Sequence, residues 1–248
     1  MITIKSPEEI RTMKESGRIL AATIKHLEKI ARPGITTMEL NNAAEAKILA
    51  MGGIPAFKNY NGFPYSLCAS VNEVVVHGYP SDYILKDGDI IGLDLGVIYN
   101  GYYSDMAVTL PIGKVSFEAK RLLMVTKKAL KRGIKKSKIG NTIGDIGNTI
   151  QRYVEEQGYG IIRDLCGHGI GKNLHEDPQI LNYGSRGTGE KLQEGMVICI
   201  EPMLTMSGEY RIKKAADGYG FATKDGSLSA HFEHTIAITK NGPIVLTE

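Results

Sequence analysis

The stretch that decides the fold is GDIIGLD at residues 88–94, and it recurs as GMVICIE at residues 195–201. In both copies a glycine precedes an apolar run typical of a buried strand, and a carboxylate ends the run. An ionised side chain in such surroundings is unfavourable unless it is paired or binds a metal ion. The recurrence therefore predicts two related halves that each bring an acid, Asp94 or Glu201, to a buried site.

The same order of elements, two helices and then strands, surrounds each copy of this stretch. Capping residues and apolar spacing predict helices from Pro7 to a stop at Pro33-Gly34, from Thr36 to Gly52-Gly53, from Ser116 through Ile134, and from Thr142 to about Gly158. Strand-forming residues dominate 67–78 and 89–110 in the first half, and 196–204 and 229–246 in the second.

Further residues extend the repeat beyond the strands. Each half has a His-Gly pair upstream, at His77 and His168, and a second acid downstream, at Asp105 and Glu233. We take the members of each pair to correspond. Because no Pro/Ser-rich linker separates the halves, we expect one domain over 1–248, built of pseudo-repeats at about 1–112 and 113–248 that share one site across a pseudo-two-fold axis.

Composition excludes several classes of protein. The 248 residues are 42% apolar and 23% charged, which is typical of a globular chain. A net charge of +3 is too small to indicate nucleic-acid binding, and the basic stretch at 127–138 is typical of a solvated helix face. No apolar run is long enough for a membrane span, and the first residues are too charged for a signal peptide. Three widely spaced cysteines favour reduced thiols in the cytoplasm.

The hairpin after Asp94 sets the position of a second acid. Asn100-Gly101 predicts a two-residue turn, and its register places Asp94 opposite Ala107. Asp105 then lies on the same face as Asp94 and diagonal to it, at roughly 7–8 Å between Cα atoms. That separation is within reach of one metal ion or of an ion pair.

Histidine supplies the nitrogen ligand that such a site needs. His168 lies in GHGIG at 167–171, which is typical of a Gly-rich turn whose small residues let the backbone approach closely. Four carboxylates with one imidazole favour Mn²⁺, Fe²⁺, Co²⁺ or Zn²⁺. The roles of His77 and His175 stay open at this point. We expect His231 and His234, which flank Glu233, to lie around the ligands or at the surface.

Four motifs give the chain a resemblance to a known family. They are GHGIG at 167–171, HEDPQI at 175–180, VNEVVVHG at 71–78 and SAHFEHT at 229–235. With them the chain resembles the type I methionine aminopeptidases over essentially its whole length, in the short bacterial form. The resemblance implies the α+β pita-bread fold, in which helices pack outside curved antiparallel sheets around a central site.

The resemblance also implies the metal ligands. Asp94 would chelate one metal, Asp105 and Glu233 would bridge two, and His168 and Glu201 would hold the other. Two divalent ions per chain are implied, their identity among Co, Mn, Fe, Zn or Ni being undetermined by the sequence. Glu201 would also take the proton from a bridging water that attacks the first peptide bond.

Substrate contacts are implied in the same way. His77 and His175 would contact the scissile amide and stabilise the oxyanion. The methionine side chain would enter an apolar pocket formed by Phe57, Tyr60, Phe63, Cys68 and Tyr219. The implied activity is removal of the N-terminal methionine from nascent proteins with a small second residue, at the ribosome, by a cytoplasmic monomer.

Two residues depart from the family pattern. Leu165 replaces an aromatic residue or Met, and Gly96 replaces the Thr of many relatives.

Three alternative functions agree less well with the sequence. A proline-specific peptidase on the same fold would carry an added N-terminal domain. A catalytically inactive binding module is disfavoured by the intact ligands. A phosphate loop at 167–172 is one residue short of the required spacing, and Asn173 stands in place of Ser/Thr.

Overall fold

The computed structural model describes residues 2–248, in which the sheets are small and the helices long. The helices are α1 Pro7–Ile30, α2 Thr37–Ala50, α3 Phe117–Lys136 and α4 Ile143–Glu156. The strands of the first half are β1 Ile54–Pro55, β2 Leu67–Val71, β3 Val74–Val76, β4 Ile90–Tyr99 and β5 Tyr102–Pro111. Those of the second half are β6 Gly160–Ile161, β7 Gly167–Gly169, β8 Glu176–Ile180, β9 Val197–Ile200, β10 Met203–Thr205, β11 Ile212–Lys214, β12 Phe221–Thr223, β13 Ser229–His231, β14 His234–Thr239 and β15 Gly242–Val245.

The helices begin where their capping residues predict. At the start of α1 the Ser6 hydroxyl accepts from the Glu9 amide, and the Glu9 carboxylate accepts from the Ser6 amide at 2.8 Å. The same reciprocal pair, which satisfies two amides that the helix itself cannot, opens α2 and α4. At α3 the Ser116 hydroxyl accepts from the Ala119 amide. All four helix predictions are confirmed.

The hairpin of β4 and β5 has the register that the Asn-Gly turn predicts. Asp94 pairs with Ala107, and Asp105 pairs with Gly96 two positions along. Asn100 and Gly101 have φ angles of 48° and 79°, the left-handed pair that a type I′ turn requires. Because side chains alternate across a strand, Asp94 and Asp105 project from the same face of this hairpin.

The second half contains the matching ladder, with a different set of equivalent residues. His234 pairs with Ile200 and His231 pairs with Met203, so Glu201 lies level with Glu233 between them. When Asp94 is matched to Glu201, the counterpart of Glu233 is therefore Ala107, and the counterpart of Asp105 is His231. The expected correspondence of Asp105 with Glu233 is wrong, because counting acids downstream ignores the strand register.

The other expected pair, His77 with His168, is also not equivalent. His168 lies in β7, which pairs with β9 as β2 pairs with β4, whereas His77 follows β3 in a different sheet. The segment around His168, which the sequence predicted to be a Gly-rich turn, forms the strand β7. Its glycines are needed because a Cβ on Gly167 would collide with the carbonyl of Cys199 in the neighbouring strand.

The helices lie outside the sheets and cover their apolar faces. α1 packs on β4 and β5, and α3 packs on β10 and β13, with α2 and α4 beside them. One apolar core runs from Ile19 in α1 to Ile238 in β14 and contains buried residues of both halves. No helix formed by residues 2–248 is both long enough and apolar enough to cross a bilayer.

Candidate metal centre and its pocket

The five residues expected as metal ligands meet where the two halves face each other. These residues are Asp94 of β4, Asp105 of β5, His168 of β7, Glu201 directly after β9 and Glu233 directly before β14. Carboxylate oxygens of Asp94, Asp105 and Glu233 lie within 4.8 Å of one another. His168 Nε2 lies 3.9 Å from Asp105 Oδ2 and 3.7 Å from Glu201 Oε1.

The four carboxylates lie together without a lysine or arginine from the described part of the chain to neutralise them. Across residues 2–248, no lysine or arginine pairs with any of them, and their only ion-pair partners are histidines. Asp94 Oδ1, Asp105 Oδ1 and Glu233 Oε1 are buried without a hydrogen-bond partner. Buried anionic oxygens of this kind need a bound cation. The residues present therefore fit a divalent metal ion.

The pKa values express the same deficit of positive charge. Burial raises the pKa of Asp94 to about 7. Burial, and then the neighbouring carboxylates, raise the pKa values of Asp105, Glu201 and Glu233 well above their ordinary range. A divalent cation between them reverses this effect because it favours the ionised form.

The imidazole of His168 is prepared as a ligand. Burial lowers its pKa to about 4, so the ring is neutral. Nδ1 lies 2.9 Å from the Gly169 carbonyl, which can only accept, so Nδ1 carries the proton. The lone pair of Nε2 is then directed at the carboxylates, as in most histidine metal ligands.

Two further side chains reach the centre: Cys199, which the sequence analysis did not place there, and His231, which was expected either around the ligands or at the surface. The thiol of Cys199 lies within 4.8 Å of donor atoms of His168 and Glu233, and burial raises its pKa well above 9. His231 is 3% exposed, and its Nε2 lies 3.6 Å from Glu201 Oε2 and 4.0 Å from Glu233 Oε2. Each lies two residues before a ligand, and the two-residue period of a strand was the available signal.

The histidine on the other side of Glu233 turns away from the centre. His234 is half-buried, and its Nδ1 lies 2.9 Å from the Thr247 hydroxyl. Of the two flanking histidines, only His231 therefore faces the carboxylates.

The other two histidines of interest line the same cavity. His77 has a φ of 59°, in the left-handed region that few residues with a side chain adopt. His175 packs edge-on against His168 at 4.5 Å between ring centroids, and its Nδ1 lies 2.9 Å from the Tyr60 hydroxyl. Burial lowers the pKa of both rings, that of His77 to about 4, and so favours the neutral form of each.

A cavity of about 720 Å³ opens onto the carboxylates. All of the residues expected at the methionine pocket line it: Phe57, Tyr60, Phe63, Cys68 and Tyr219. The Phe63 and Tyr219 rings are 5.3 Å apart, and Tyr79 stacks on Tyr219 at 4.8 Å. The cavity is therefore apolar and aromatic at one end and anionic at the other.

The two departures from the family pattern have structural explanations. A Cβ on Gly96 would lie 2.8 Å from both the Ala56 Cβ and the Phe57 ring, so Phe57 occupies the space that a Thr side chain would need. Leu165 packs with a small apolar cluster around Met203 and lines the cavity. Neither residue displaces a carboxylate or His168.

Comparisons with known proteins define the class. The sequence profile of metallopeptidase family M24 matches residues 11–240, which is most of the chain. A methionine aminopeptidase of Clostridium acetobutylicum is 50% identical over 248 residues, covering 100% of this chain and 99% of that protein. The chain belongs to metallopeptidase family M24 and, within it, to the methionine aminopeptidases.

Solved structures agree with this assignment. Methionine aminopeptidase from Thermotoga maritima superposes with a TM-score of 0.98 at 44% identity, over 100% of both chains. Prolidase from Pyrococcus furiosus gives 0.80 at 26% identity, over 99% of this chain but 65% of that one. The pita-bread fold is confirmed, and the protein is a metal-dependent hydrolase. The proline-specific alternative is the more distant relative.

Proposed function

We propose that this enzyme removes the N-terminal methionine from proteins and peptides by metal-dependent hydrolysis of the first peptide bond. One observation supports this most directly. Four carboxylates that no lysine or arginine of residues 2–248 neutralises, three of them buried, lie with a neutral imidazole at the end of an aromatic cavity of about 720 Å³. Such a cavity accepts one apolar side chain and brings the bond beside it to the metal site. Family membership supports the same activity.

The proposed ligands divide into two groups that share acids. Asp94, Asp105 and Glu233 form one compact group of donors, and His168 and Glu201 lie on its other side. Two ions would be held in this arrangement, one by Asp94 and the other by His168 and Glu201, with Asp105 and Glu233 available to both. When bound, divalent ions lower the pKa of water towards neutrality and polarise a carbonyl oxygen.

Glu201 is the proposed acid and base of the reaction. Its carboxylate is 12% exposed beside the other proposed ligands, with Oε1 directed at His168 and Oε2 at His231. It is placed to accept the proton of the attacking water and to deliver it to the leaving amine.

The neutral histidines His77 and His175 are the proposed donors to the scissile carbonyl. A neutral ring has one N–H, and the partner of its second nitrogen decides which nitrogen carries it. The Tyr60 hydroxyl, 2.9 Å from His175 Nδ1, is placed to donate there, which leaves the proton on Nε2. That proton is then available to the oxyanion, where preorganised donors stabilise developing charge.

The proposed methionine pocket combines aromatic rings with sulfur. Phe57, Tyr60, Phe63 and Tyr219 provide aromatic faces, and contacts of such rings with a thioether contribute roughly 0.3–1.5 kcal/mol. Cys68, whose strand pairs it with Asp94, lies where the pocket meets the metal site. A free α-amino group titrates at about 8, so a neutral amine that can bind metal is accessible. As in the family, we expect the second residue of the substrate to be small.

We also propose a cellular compartment, a natural substrate and an oligomeric state. Cys68, Cys166 and Cys199 are all unpaired, which is typical of the cytoplasm. The family points to nascent chains at the ribosome as substrates and to a monomer. A core that contains residues of both halves supports a single catalytic domain of two pseudo-repeats.

A panel of peptides tests the substrate assignment. The Mn²⁺-loaded enzyme is incubated with Met-Ala-Ser, Met-Lys-Ser, Ala-Ala-Ser and the dipeptide Ala-Pro, and the released amino acid is identified. We expect methionine from Met-Ala-Ser and little product from the other three. Cleavage of Ala-Pro in preference to Met-Ala-Ser would indicate the proline-specific activity instead. Equal cleavage of Met-Lys-Ser would contradict the small second residue.

A further inference from the structure

The strand register gives His231 a special place in the repeat. In the first half, Asp94 faces Ala107 and Asp105 lies two positions before Ala107. In the second half, Glu201 lies level with Glu233, and His231 lies two positions before Glu233. His231 therefore occupies the position that the carboxylate of Asp105 occupies in the other half.

Hydrogen bonds between the halves repeat this correspondence. The Thr235 hydroxyl accepts from the Asp105 amide at 2.9 Å and donates to the Asp105 carbonyl at 2.8 Å. The Thr109 hydroxyl accepts from the His231 amide at 2.9 Å and donates to the His231 carbonyl at 2.8 Å. The backbone of His231 is thus held towards the centre as firmly as that of Asp105.

The side chain of His231 ends at the metal site with an unused polar atom. The residue is 3% exposed, and Nε2 has no hydrogen-bond partner. Of the two carboxylate oxygens near it, Glu201 Oε2 is the closer at 3.6 Å, whereas Glu201 Oε1 faces His168 at 3.7 Å. The Glu201 carboxylate therefore lies between two imidazoles, with one oxygen directed at each.

We propose that His231 is a positioning residue, which donates Nε2–H to Oε2 of Glu201 and thereby directs Oε1 towards His168 and the attacking water. This inference rests on the proposed role of Glu201. The 3.6 Å separation must shorten by a few tenths of an ångström, and hydrogen bonds of catalytic groups commonly tighten when the site is loaded. Groups that orient a ligand from behind determine both metal affinity and activity.

Two substitutions separate the hydrogen bond from mere packing. His231→Leu removes the donor, and His231→Gln keeps an amide N–H at similar reach. We expect kcat for Met-Ala-Ser to fall roughly 10–100-fold in His231→Leu, with KM near the wild-type value, and to recover in His231→Gln. His26→Leu, on the distant helix α1, is the matched control and keeps wild-type kcat. Equal loss in both His231 variants, or an unchanged kcat in His231→Leu, would overturn the proposal.

Metal binding gives a readout that does not depend on turnover. In titration calorimetry with Mn²⁺ alone, we expect His231→Leu to bind as many ions as the wild type but more weakly. Loss of one equivalent would show that His231 is itself a ligand, and unchanged affinity would show that it does not orient Glu201. If His231→Leu does not fold, His231→Asn, whose shorter side chain cannot reach Oε2, replaces it in both experiments.

A double substitution tests whether His231 acts through Glu201. In a Glu201→Gln background, His231→Leu should lower the residual kcat no further, because residues that act as one unit are not additive. A full additional loss would contradict the proposal. If the wild type releases no methionine, the proposed function fails, and Mn²⁺ affinity still tests the positioning role. If the wild type is active and His231→Leu is unchanged, only the positioning role fails.

Discussion

At the scale of single residues, the centre depends on how each carboxylate uses its two oxygens. Asp94, Asp105 and Glu233 each leave one buried oxygen without a hydrogen bond, which is unfavourable except beside a cation. Glu201 differs because each of its oxygens faces an imidazole. This difference suits the two proposed roles of Glu201, as a metal ligand and as the group that accepts the proton of the attacking water.

Substitution of Glu201 by Gln tests the proposed proton-accepting role directly. The amide keeps the shape but cannot accept the proton, so we expect kcat for Met-Ala-Ser to fall roughly 10²–10⁴-fold with the fold retained. Steady-state kinetics and circular dichroism are the measurements. Glu194→Gln, which alters an exposed ion pair with Lys240, is the control and keeps wild-type rates. Turnover near the wild-type rate in Glu201→Gln would remove Glu201 from the mechanism.

A second prediction concerns the contact of Gly96 with Phe57. A methyl group at position 96 would lie 2.8 Å from the Phe57 ring, so Gly96→Ala should lower the free energy of unfolding by about 1–3 kcal/mol. The penalty should be smaller in a Phe57→Ala background, where the ring is absent. Urea unfolding of the four members of this cycle measures both values. If the effects of the two substitutions on the free energy of unfolding are strictly additive, the Phe57 ring does not cause the strain.

Individual residues were predictable where strand geometry is rigid. The Asn100-Gly101 turn fixed the pairing of Asp94 with Ala107 from sequence alone. For His231 the sequence left two positions open, around the ligands or at the surface, because its strand is three residues long and its approach depends on contacts with Thr109 in the other half. Such contacts between distant segments leave no local pattern in the sequence.

At the scale of elements, the helices were more predictable than the strands. Reciprocal caps such as Ser6 with Glu9 act within four residues, so the sequence contains the whole interaction. The strands β6, β7, β11 and β12 are two or three residues long, which is too short for alternation to be visible. Their positions depend on partners far along the chain.

One element-scale contact holds the segment that carries His175. Lys5, before α1, lies 2.7 Å from Glu176, and both side chains are over 90% buried. The second oxygen of Glu176 accepts from the Asn173 amide at 3.1 Å, which closes the loop before His175. The N-terminal segment thereby supports a proposed catalytic residue from behind.

Removal of the Lys5 charge should therefore be strongly destabilising. Lys5→Met leaves a buried, unpaired carboxylate, and we expect the free energy of unfolding to fall by roughly 3–5 kcal/mol. Arg18→Met, which breaks an exposed pair with Glu15, should change it by at most about 1 kcal/mol. Guanidinium unfolding measures both. A Lys5→Met effect as small as that of Arg18→Met would contradict the account.

The pH dependence of the same variant has a definite sign. Burial acts to raise the pKa of Glu176, but hydrogen bonds from Lys5, Thr3 and Asn173 lower it below 4.5. A depressed pKa gives stability that is present above pH 4.5 and is lost as the pH falls through the folded-state value. The difference in stability between wild type and Lys5→Met should therefore shrink on acidification below pH 4.5.

At the scale of the whole molecule, the proposed metal site takes different residues from the two halves of the chain. The first supplies Asp94 and Asp105, the second supplies His168, Glu201 and Glu233, and the core beneath them contains residues of both. The sequence repeat predicted this sharing. It did not predict which residues correspond, because equivalence is set by register and the two ladders place their acids differently.

The shared core predicts one unfolding unit. We expect the metal-free protein to unfold in a single calorimetric transition whose van't Hoff and calorimetric enthalpies agree. Two resolved transitions would mean that the halves fold independently, contrary to the proposed single domain.

The measurement that tests the central claim most directly is methionine release against added metal. The protein is stripped with chelator, and Mn²⁺ is returned in known equivalents while methionine release from Met-Ala-Ser is followed. We predict no release without metal and activity that rises with occupancy, reaching its maximum by two equivalents. Undiminished release from the stripped protein, or no release when Mn²⁺ is tightly bound, would contradict the account.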